Sequence, residues 1–137
     1  MNSLKNGMQN ARAKHRAIFF DRDGVICKAL PRGEYLVRWD QFVLTDGILD
    51  LLDFVRQKGY QTAIVTNQRQ IAQGLLTERE LQEIHRRMAT VLEGRIDAIY
   101  YCPHRDADEC DCRKPKPGML TRAAEELNVD LRASYMV

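Results

Sequence analysis

Four side chains of metal-binding type lie close together near the C-terminus, in the stretch CPHRDADECDC (residues 102–112). The pattern reads Cys102-x-His104, then five residues, then Cys110-x-Cys112. It could form a disulfide loop, a metal site or part of an active site. Four thiol and imidazole groups are the number that a closed tetrahedral zinc site needs. With no fifth ligand evident, the pattern favours a structural zinc, and the alternative is a Cys102–Cys110 disulfide.

A pair of carboxylates separated by one residue occurs in DRDG, at Asp21 and Asp23. Two ionised carboxylates in a dry pocket repel each other, so one must hold a proton or a cation must lie between them. This arrangement suits a nucleophilic carboxylate with an acid/base partner, or a magnesium site. The alternative is a solvated turn, because Asp and Gly are ordinary turn residues.

Two further pairs of polar residues are of a type that binds phosphate. Thr66 and Asn67 offer a hydroxyl and an amide, whereas Arg113 offers a planar fork and Lys114 a point charge. Each pair also has an ordinary explanation. Thr and Asn often end strands, and basic residues beside prolines often lie in solvated loops.

Alternating apolar runs and helical periodicities indicate where these residues lie. Predicted strands are AIFFD (17–21), YQTAIVTN (60–67), IDAIYYC (96–102) and ASYMV (133–137), and predicted helices lie within 45–59, 76–94 and 117–128. This order predicts a doubly wound, Rossmann-like α/β fold with a mainly parallel sheet and helices on both faces. Ligands of such sheets bind beyond the carboxyl ends of the strands. The acidic pair, the Thr-Asn pair and the Cys/His stretch with its basic pair each follow a strand, which favours one shared site.

Bulk composition limits the remaining possibilities. A chain of 137 residues with 45% hydrophobic content fits one domain, and a net charge of +2 gives no indication of a nucleic acid or membrane partner. Residues 1–16 are polar, lack the apolar segment of a signal peptide, and are expected to form a flexible leader. We therefore expect a monomer in the cytoplasm, where thiols stay reduced.

The motifs in combination resemble a known family. FFDRDGV, a strand ending in TN, and RKPKPGM together resemble the haloacid dehalogenase (HAD) superfamily of aspartate-nucleophile phosphatases. YYCPH, CDCRKPKPGML and ASYMV are similar to its D-glycero-D-manno-heptose 1,7-bisphosphate phosphatase branch, whose close relatives are the histidinol-phosphate phosphatases. The resemblance extends over residues 17–137, which we expect to form one HAD-like phosphatase domain.

This resemblance implies a role for each candidate residue. Asp21 would be the nucleophile and a ligand of a catalytic Mg²⁺, and Asp23 the general acid/base, whose backbone carbonyl also ligates the Mg²⁺. The substrate would be a small phosphorylated metabolite. The remaining implied roles are phosphoryl binding by Thr66 and Lys114, pocket lining by Asn67 and substrate contact by Arg113.

Two departures from the family pattern affect the expected activity. Arg69 and Gln70 stand where the family usually has Ser and Gly. In the family, an acidic Gly-Asp segment that completes the magnesium site follows ASYMV, whereas this sequence stops at Val137. We therefore expect a domain without the usual C-terminal part. The alternatives to a heptose bisphosphate phosphatase are a histidinol-phosphate phosphatase and a catalytically impaired, zinc-stabilised domain that binds phosphate.

A few other residues of chemical interest have ordinary explanations. His85 is expected on the exposed face of the second predicted helix, and Cys27 is expected to be a small buried apolar residue. Residues 28–42 occupy the place of the flap that covers the substrate in this superfamily. Within this flap, Tyr35 and Trp39 either pack against the domain or contact the substrate.

Overall fold

The computed structural model describes residues 13–137. It consists of four strands and three α-helices, together with short 3₁₀ helices. The strands are β1 (Arg16–Phe20), β2 (Tyr60–Asn67), β3 (Ala98–Cys102) and β4 (Tyr135–Met136). The helices are α1 (Ile48–Gln57), α2 (Glu78–Val91) and α3 (Gly118–Leu127), and the 3₁₀ helices are Trp39–Gln41, Asp106–Asp108 and Leu131–Ala133.

The strands form one parallel sheet in the order β3-β2-β1-β4. Phe20 is level with Ile64, and Asn67 is level with Cys102. The carboxyl ends of the three longer strands therefore meet at one edge of the sheet, and one of the predicted polar groups lies at the end of each strand or directly after it. This arrangement confirms the predicted doubly wound α/β fold.

The core lies on both faces of the sheet because successive strand side chains point to opposite sides. Phe19 packs with Met119 of α3 on one face. Phe20 packs with Leu52 of α1 and Met88 of α2 on the other. All five side chains are nearly inaccessible to solvent, so the helices hold the sheet, and with it the strand ends, from both sides.

The structure moves several predicted boundaries by a few residues. Arg16 is the first residue of β1 and His15 pairs with Val129, so the predicted leader ends too late at Arg16. Most of that leader, residues 1–12, lies outside the described residues. Within residues 13–137, no helix is long and apolar enough to cross a membrane.

Candidate active site

Asp21 and Lys114 meet at the carboxyl edge of the sheet. Asp21 directly follows β1, and Lys114 lies in the long loop between β3 and α3. Lys114 Nζ lies 3.1 Å from Asp21 Oδ2 and donates to the Val65 carbonyl at 3.2 Å. The other Asp21 oxygen, Oδ1, accepts from the backbone N–H of Arg22 at 2.8 Å. A partly exposed carboxylate of fixed orientation is thereby placed beside a cation.

Asn67 holds the backbone of Lys114. Its Oδ1 accepts from the Lys114 N–H at 2.9 Å, and its Nδ2 donates to the Lys114 carbonyl at 3.3 Å. The carboxamide of Asn67 thus uses both its oxygen and its nitrogen on the Lys114 backbone. The end of β2 thereby fixes the position from which the lysine side chain extends. In this structure Asn67 positions the lysine, whereas the resemblance implied that it lines the pocket.

Thr66 is buried at the end of β2. Its Oγ1 accepts from Gln68 Nε2 at 2.8 Å. A hydroxyl carries one proton and two lone pairs, so this contact leaves the proton available to donate to an anionic oxygen. The geometry is compatible with phosphate binding.

Asp23 lies in a largely buried polar network that the sequence motifs did not reveal. Arg22 is fully buried and donates from Nε to Asp23 Oδ1 at 2.9 Å and from Nη2 to Oδ2 at 3.1 Å. Gln68 Nε2 also donates to Oδ2, at 3.2 Å. Burial acts to raise the pKa of Asp23, but the charge of Arg22 and hydrogen bonds from Arg22, Gln68 and Cys27 outweigh it and hold that pKa below its ordinary value.

His85 belongs to the same network, and the prediction that it is exposed was wrong. The residue is 6% exposed, and its Nε2 lies 3.2 Å from Arg22 Nη1. His85 follows Leu81 by four positions and precedes Met88 by three, which places it on the buried face of α2. That spacing was the signal that sequence reasoning missed. Burial, together with the charge of Arg22, lowers the pKa of His85 to about 3.

The structure brings the four predicted zinc ligands together. The Sγ atoms of Cys102, Cys110 and Cys112 and a ring nitrogen of His104 all lie within 4.8 Å of one another. His104 Nδ1 is 3.4 Å from Cys102 Sγ and 3.2 Å from Cys112 Sγ. Three thiols and one imidazole are the donor types of a closed tetrahedral zinc site, so the donor set fits this metal.

The cysteine sulfurs of this cluster are not joined by a disulfide bond in this structure. All four cysteines of the chain are free thiols. Cys102 Sγ is 3.5 Å from Cys110 Sγ and 2.7 Å from Cys112 Sγ, both longer than the roughly 2.05 Å of a disulfide bond. The fourth cysteine, Cys27, is buried away from the cluster, as predicted.

Arg113 is directed into the zinc loop (residues 102–112). Its guanidinium pairs with Asp106 and donates to the carbonyl of His104 at 3.3 Å. The resemblance implied that Arg113 contacts substrate. In this structure its partners are residues of the loop, and a substrate contact would require it to exchange Asp106 for a phosphate.

The flap residues pack against the domain and against the segment after β2. Trp39 packs against the core cluster that contains Leu52 and Met88, and within the flap it stacks on Phe42 with ring centroids 4.7 Å apart. Tyr35 accepts a hydrogen bond from Arg69 Nη2 at 2.7 Å, and the guanidinium lies 5.6 Å from the Tyr35 ring centroid. Arg69, one of the two departures from the family pattern, is therefore a contact between this segment and the flap.

The chain is similar to several curated phosphatases. It is 41% identical over 131 residues to the D-glycero-beta-D-manno-heptose-1,7-bisphosphate 7-phosphatase of Pasteurella multocida, covering 89% of this chain and 70% of that protein. The enzyme of the same name from Escherichia coli K12 is 40% identical over 131 residues, covering 88% of this chain and 67% of that protein.

Solved structures show the same likeness. The D,D-heptose 1,7-bisphosphate phosphatase of B. bronchiseptica, complexed with magnesium and phosphate, aligns with a TM-score of 0.75 and 34% identity. That alignment covers 85% of this chain and 65% of the other, so the chain spans about two thirds of the length of such relatives. The sequence profile of the haloacid dehalogenase-like hydrolase family matches residues 30–137 of this chain. These matches, together with the geometry of the site, establish that the chain belongs to the haloacid dehalogenase-like hydrolase family.

Proposed function

We propose that this chain carries the catalytic centre of a magnesium-dependent phosphomonoester hydrolase. The observation that carries the proposal is the 3.1 Å approach of Lys114 Nζ to Asp21 Oδ2 at the carboxyl edge of the sheet, beside Thr66. A carboxylate in this position can attack phosphorus. A cation and a hydroxyl next to it can hold the oxygens of the group under attack.

In the first step, Asp21 Oδ attacks the phosphorus atom in line with the departing alcohol, and an aspartyl-phosphate forms as the ester bond breaks. Lys114 offsets the negative charge on the phosphoryl oxygens, and the Thr66 hydroxyl donates a hydrogen bond to one of them. Asn67 serves this step indirectly, because it fixes the backbone from which the lysine reaches the site.

In the second step, water hydrolyses the aspartyl-phosphate, and phosphate leaves while Asp21 returns to its starting state. Asp23 takes a proton from the attacking water in the second step and gives it to the leaving alcohol of the next substrate, whose negatively charged phosphate favours the protonated carboxyl while it is bound. Two steps with modest barriers thereby replace direct attack of water on a phosphate ester.

The donors at this site fit a magnesium ion. Mg²⁺ prefers oxygen ligands in octahedral geometry and keeps several waters. The Asp21 carboxylate and the Asp23 backbone carbonyl would hold it, and when bound it supplies positive charge beside the transferring phosphoryl group. The magnesium and phosphate in the B. bronchiseptica structure support this assignment.

The Cys/His cluster is proposed to hold a structural zinc. All four ligand positions come from the protein, which leaves none open for substrate. Since Cys112 precedes Lys114 by two residues, the zinc would fix the loop that delivers the lysine to Asp21.

The proposed substrate is D-glycero-D-manno-heptose 1,7-bisphosphate, on the strength of the names of the relatives. The test measures magnesium-dependent release of phosphate by the purified chain, first from p-nitrophenyl phosphate and then from the heptose bisphosphate and histidinol phosphate. A higher kcat/KM for the heptose bisphosphate is the expected result, and a preference for histidinol phosphate would overturn the substrate assignment. Binding of phosphate without turnover of any ester would show a non-catalytic domain.

A further inference from the structure

Arg22 is a charged residue with no solvent exposure, and in the sequence it stands between the two acidic residues of the site. Its guanidinium makes contacts in three directions. Nε and Nη2 bind the two oxygens of Asp23, Nη2 also donates to Gln68 Oε1 at 3.0 Å, and Nη1 lies 3.2 Å from His85 Nε2. The acceptors come from β1's own loop, from the end of β2 and from α2.

This environment holds Arg22 in one place. A buried guanidinium is costly unless its N–H groups are paired, so movement away from any of these acceptors is opposed. Arginine has only donors, and His85 therefore accepts at Nε2 and carries its proton on Nδ1. Gln68 is itself held, because Gln70 donates to its Oε1 and its own Nε2 donates to Thr66.

The fixed fork of Arg22 in turn fixes Asp23. Two parallel N–H bonds set both the position and the plane of a carboxylate, which a single contact cannot do. Because both oxygens accept from Arg22, the carboxylate is held in its ionised form, the form that can take up a proton from water. The Asp23 side chain remains 43% exposed on its other side, where a water molecule can approach.

We propose that Arg22 is a positioning residue that holds Asp23 as the proton acceptor for the hydrolysis of the aspartyl-phosphate, and that His85 and Gln68 fix Arg22 for this purpose. This inference rests on the proposed function. It adds that the second step depends on Arg22 more than the first, because the departure of a good leaving group needs no proton from Asp23.

The kinetic test uses p-nitrophenyl phosphate, whose leaving group departs without protonation. In Arg22→Met we expect p-nitrophenol release in the first turnover to stay within about threefold of wild type, while steady-state kcat falls about 10- to 100-fold. Acid quenching should then trap close to one phosphate per chain. Arg22→Lys should recover part of kcat, and His85→Phe should show a smaller fall of the same kind.

The control is Arg56→Met, the same chemical change at the other end of the sheet, where Arg56 pairs with Asp97 and Thr62. It should leave both rates unchanged. Equal falls of first turnover and kcat in Arg22→Met, with no trapped phosphoenzyme, would overturn the inference and show a general structural defect. Unchanged kinetics would overturn it as well. If Arg22→Met does not fold, Arg22→Lys and His85→Phe decide by the same two readouts.

A second measurement needs no turnover. Long-range ¹H–¹⁵N NMR spectra of the imidazole rings should show His85 as the neutral Nδ1–H tautomer in the wild-type chain, and this signature should change in Arg22→Met, which removes the donor to Nε2. An Nε2–H tautomer or an imidazolium in the wild-type chain at neutral pH would overturn the network. A wild-type chain with the expected tautomer but no magnesium-dependent hydrolysis would instead overturn the proposed function and the kinetic role together, and leave the network standing.

Discussion

Lys114 Nζ lies 3.1 Å from Asp21 Oδ2, although the two residues follow different strands of the sheet. The contact depends on the parallel register that brings the ends of β1, β2 and β3 to one edge. It also depends on Asn67, which holds the Lys114 backbone from the end of β2. The proposed nucleophile and its charge partner are thus placed by separate elements that pack on one core.

Replacing Lys114 by methionine removes the charge and keeps most of the side-chain length. We expect kcat/KM for p-nitrophenyl phosphate to fall roughly 10²- to 10³-fold, because one preorganised partner of the phosphoryl oxygens is lost. Steady-state kinetics measure this, with Lys58→Met as the control because Lys58 packs over Phe54, far from the site. Equal losses in both variants would show that Lys114 has no special role.

Substitutions of Asp21 and Asp23 should block different steps of the reaction. Asp21→Asn should abolish formation of the phosphoenzyme, since an amide is a poor nucleophile. Asp23→Asn should still bind phosphate but should turn over at least about 10²-fold more slowly, since an amide cannot exchange the proton. Isothermal titration with phosphate and acid trapping of the phosphoenzyme separate the two. Substantial turnover in Asp21→Asn would mean that another group attacks phosphorus.

His85 should make the stability of the chain depend on pH. The pKa of His85 is lowered from 6.5 to about 3 in the folded state. Below pH 6.5, His85 therefore binds a proton in the unfolded chain but stays neutral in the folded chain. The free energy of unfolding should therefore decrease as the pH falls from 6.5 towards about 3, with a slope approaching about 1.4 kcal/mol per pH unit from this group.

Urea unfolding of the wild type and of His85→Phe at about pH 7, 6 and 5 measures this effect. The difference between the two chains isolates His85, because protonation of the zinc ligands affects both. The wild type should lose stability relative to the variant as the pH falls. Parallel curves would contradict the buried, neutral state of this histidine.

Protein purified without chelators should contain one zinc per chain, measured by elemental analysis. Binding to four such ligands contributes on the order of 10 kcal/mol, which becomes folding energy of the loop. Cys110→Ser or chelation should therefore loosen the loop and lower activity through Lys114. Absence of zinc from the wild-type protein would end this assignment.

Gly118 should be intolerant of a side chain. It is the first residue of α3, and an added Cβ would lie 2.8 Å from the Cys112 Cα and closer still to the Asp111 carbonyl. Gly118→Ala should therefore cost about 1–3 kcal/mol of stability and weaken zinc binding, because the zinc loop must move away from the helix.

The control is Gly94→Ala. Gly94 has a φ of +74° but no atom within 4 Å of an added Cβ, so this change should cost roughly 1 kcal/mol and leave zinc affinity unchanged. Competition with a chromophoric chelator measures the affinity, and urea unfolding measures the stability. Tight zinc binding in Gly118→Ala would show that the loop adapts at little cost.

The sequence by itself determined the sheet, the helices and the chemical types at the strand ends. Apolar runs and helical stripes are local patterns, and parallel topology then requires DRDG, Thr66-Asn67 and the segment with Lys114 to meet at one edge. The cluster of the four proposed zinc ligands could also be predicted, because they lie within eleven residues and short spacing limits how far apart they can be.

Only the tertiary structure decided how these residues are held. Arg22 looks like a solvated residue between two acids, and it becomes a buried support of Asp23 only because α2 brings His85 beneath it. Arg113 is directed to Asp106, and Asn67 to the Lys114 backbone. Arg22 and His85, like Asn67 and Lys114, are distant in sequence. A side chain of several torsions, such as that of Arg113, has no preferred direction until packing removes the alternatives.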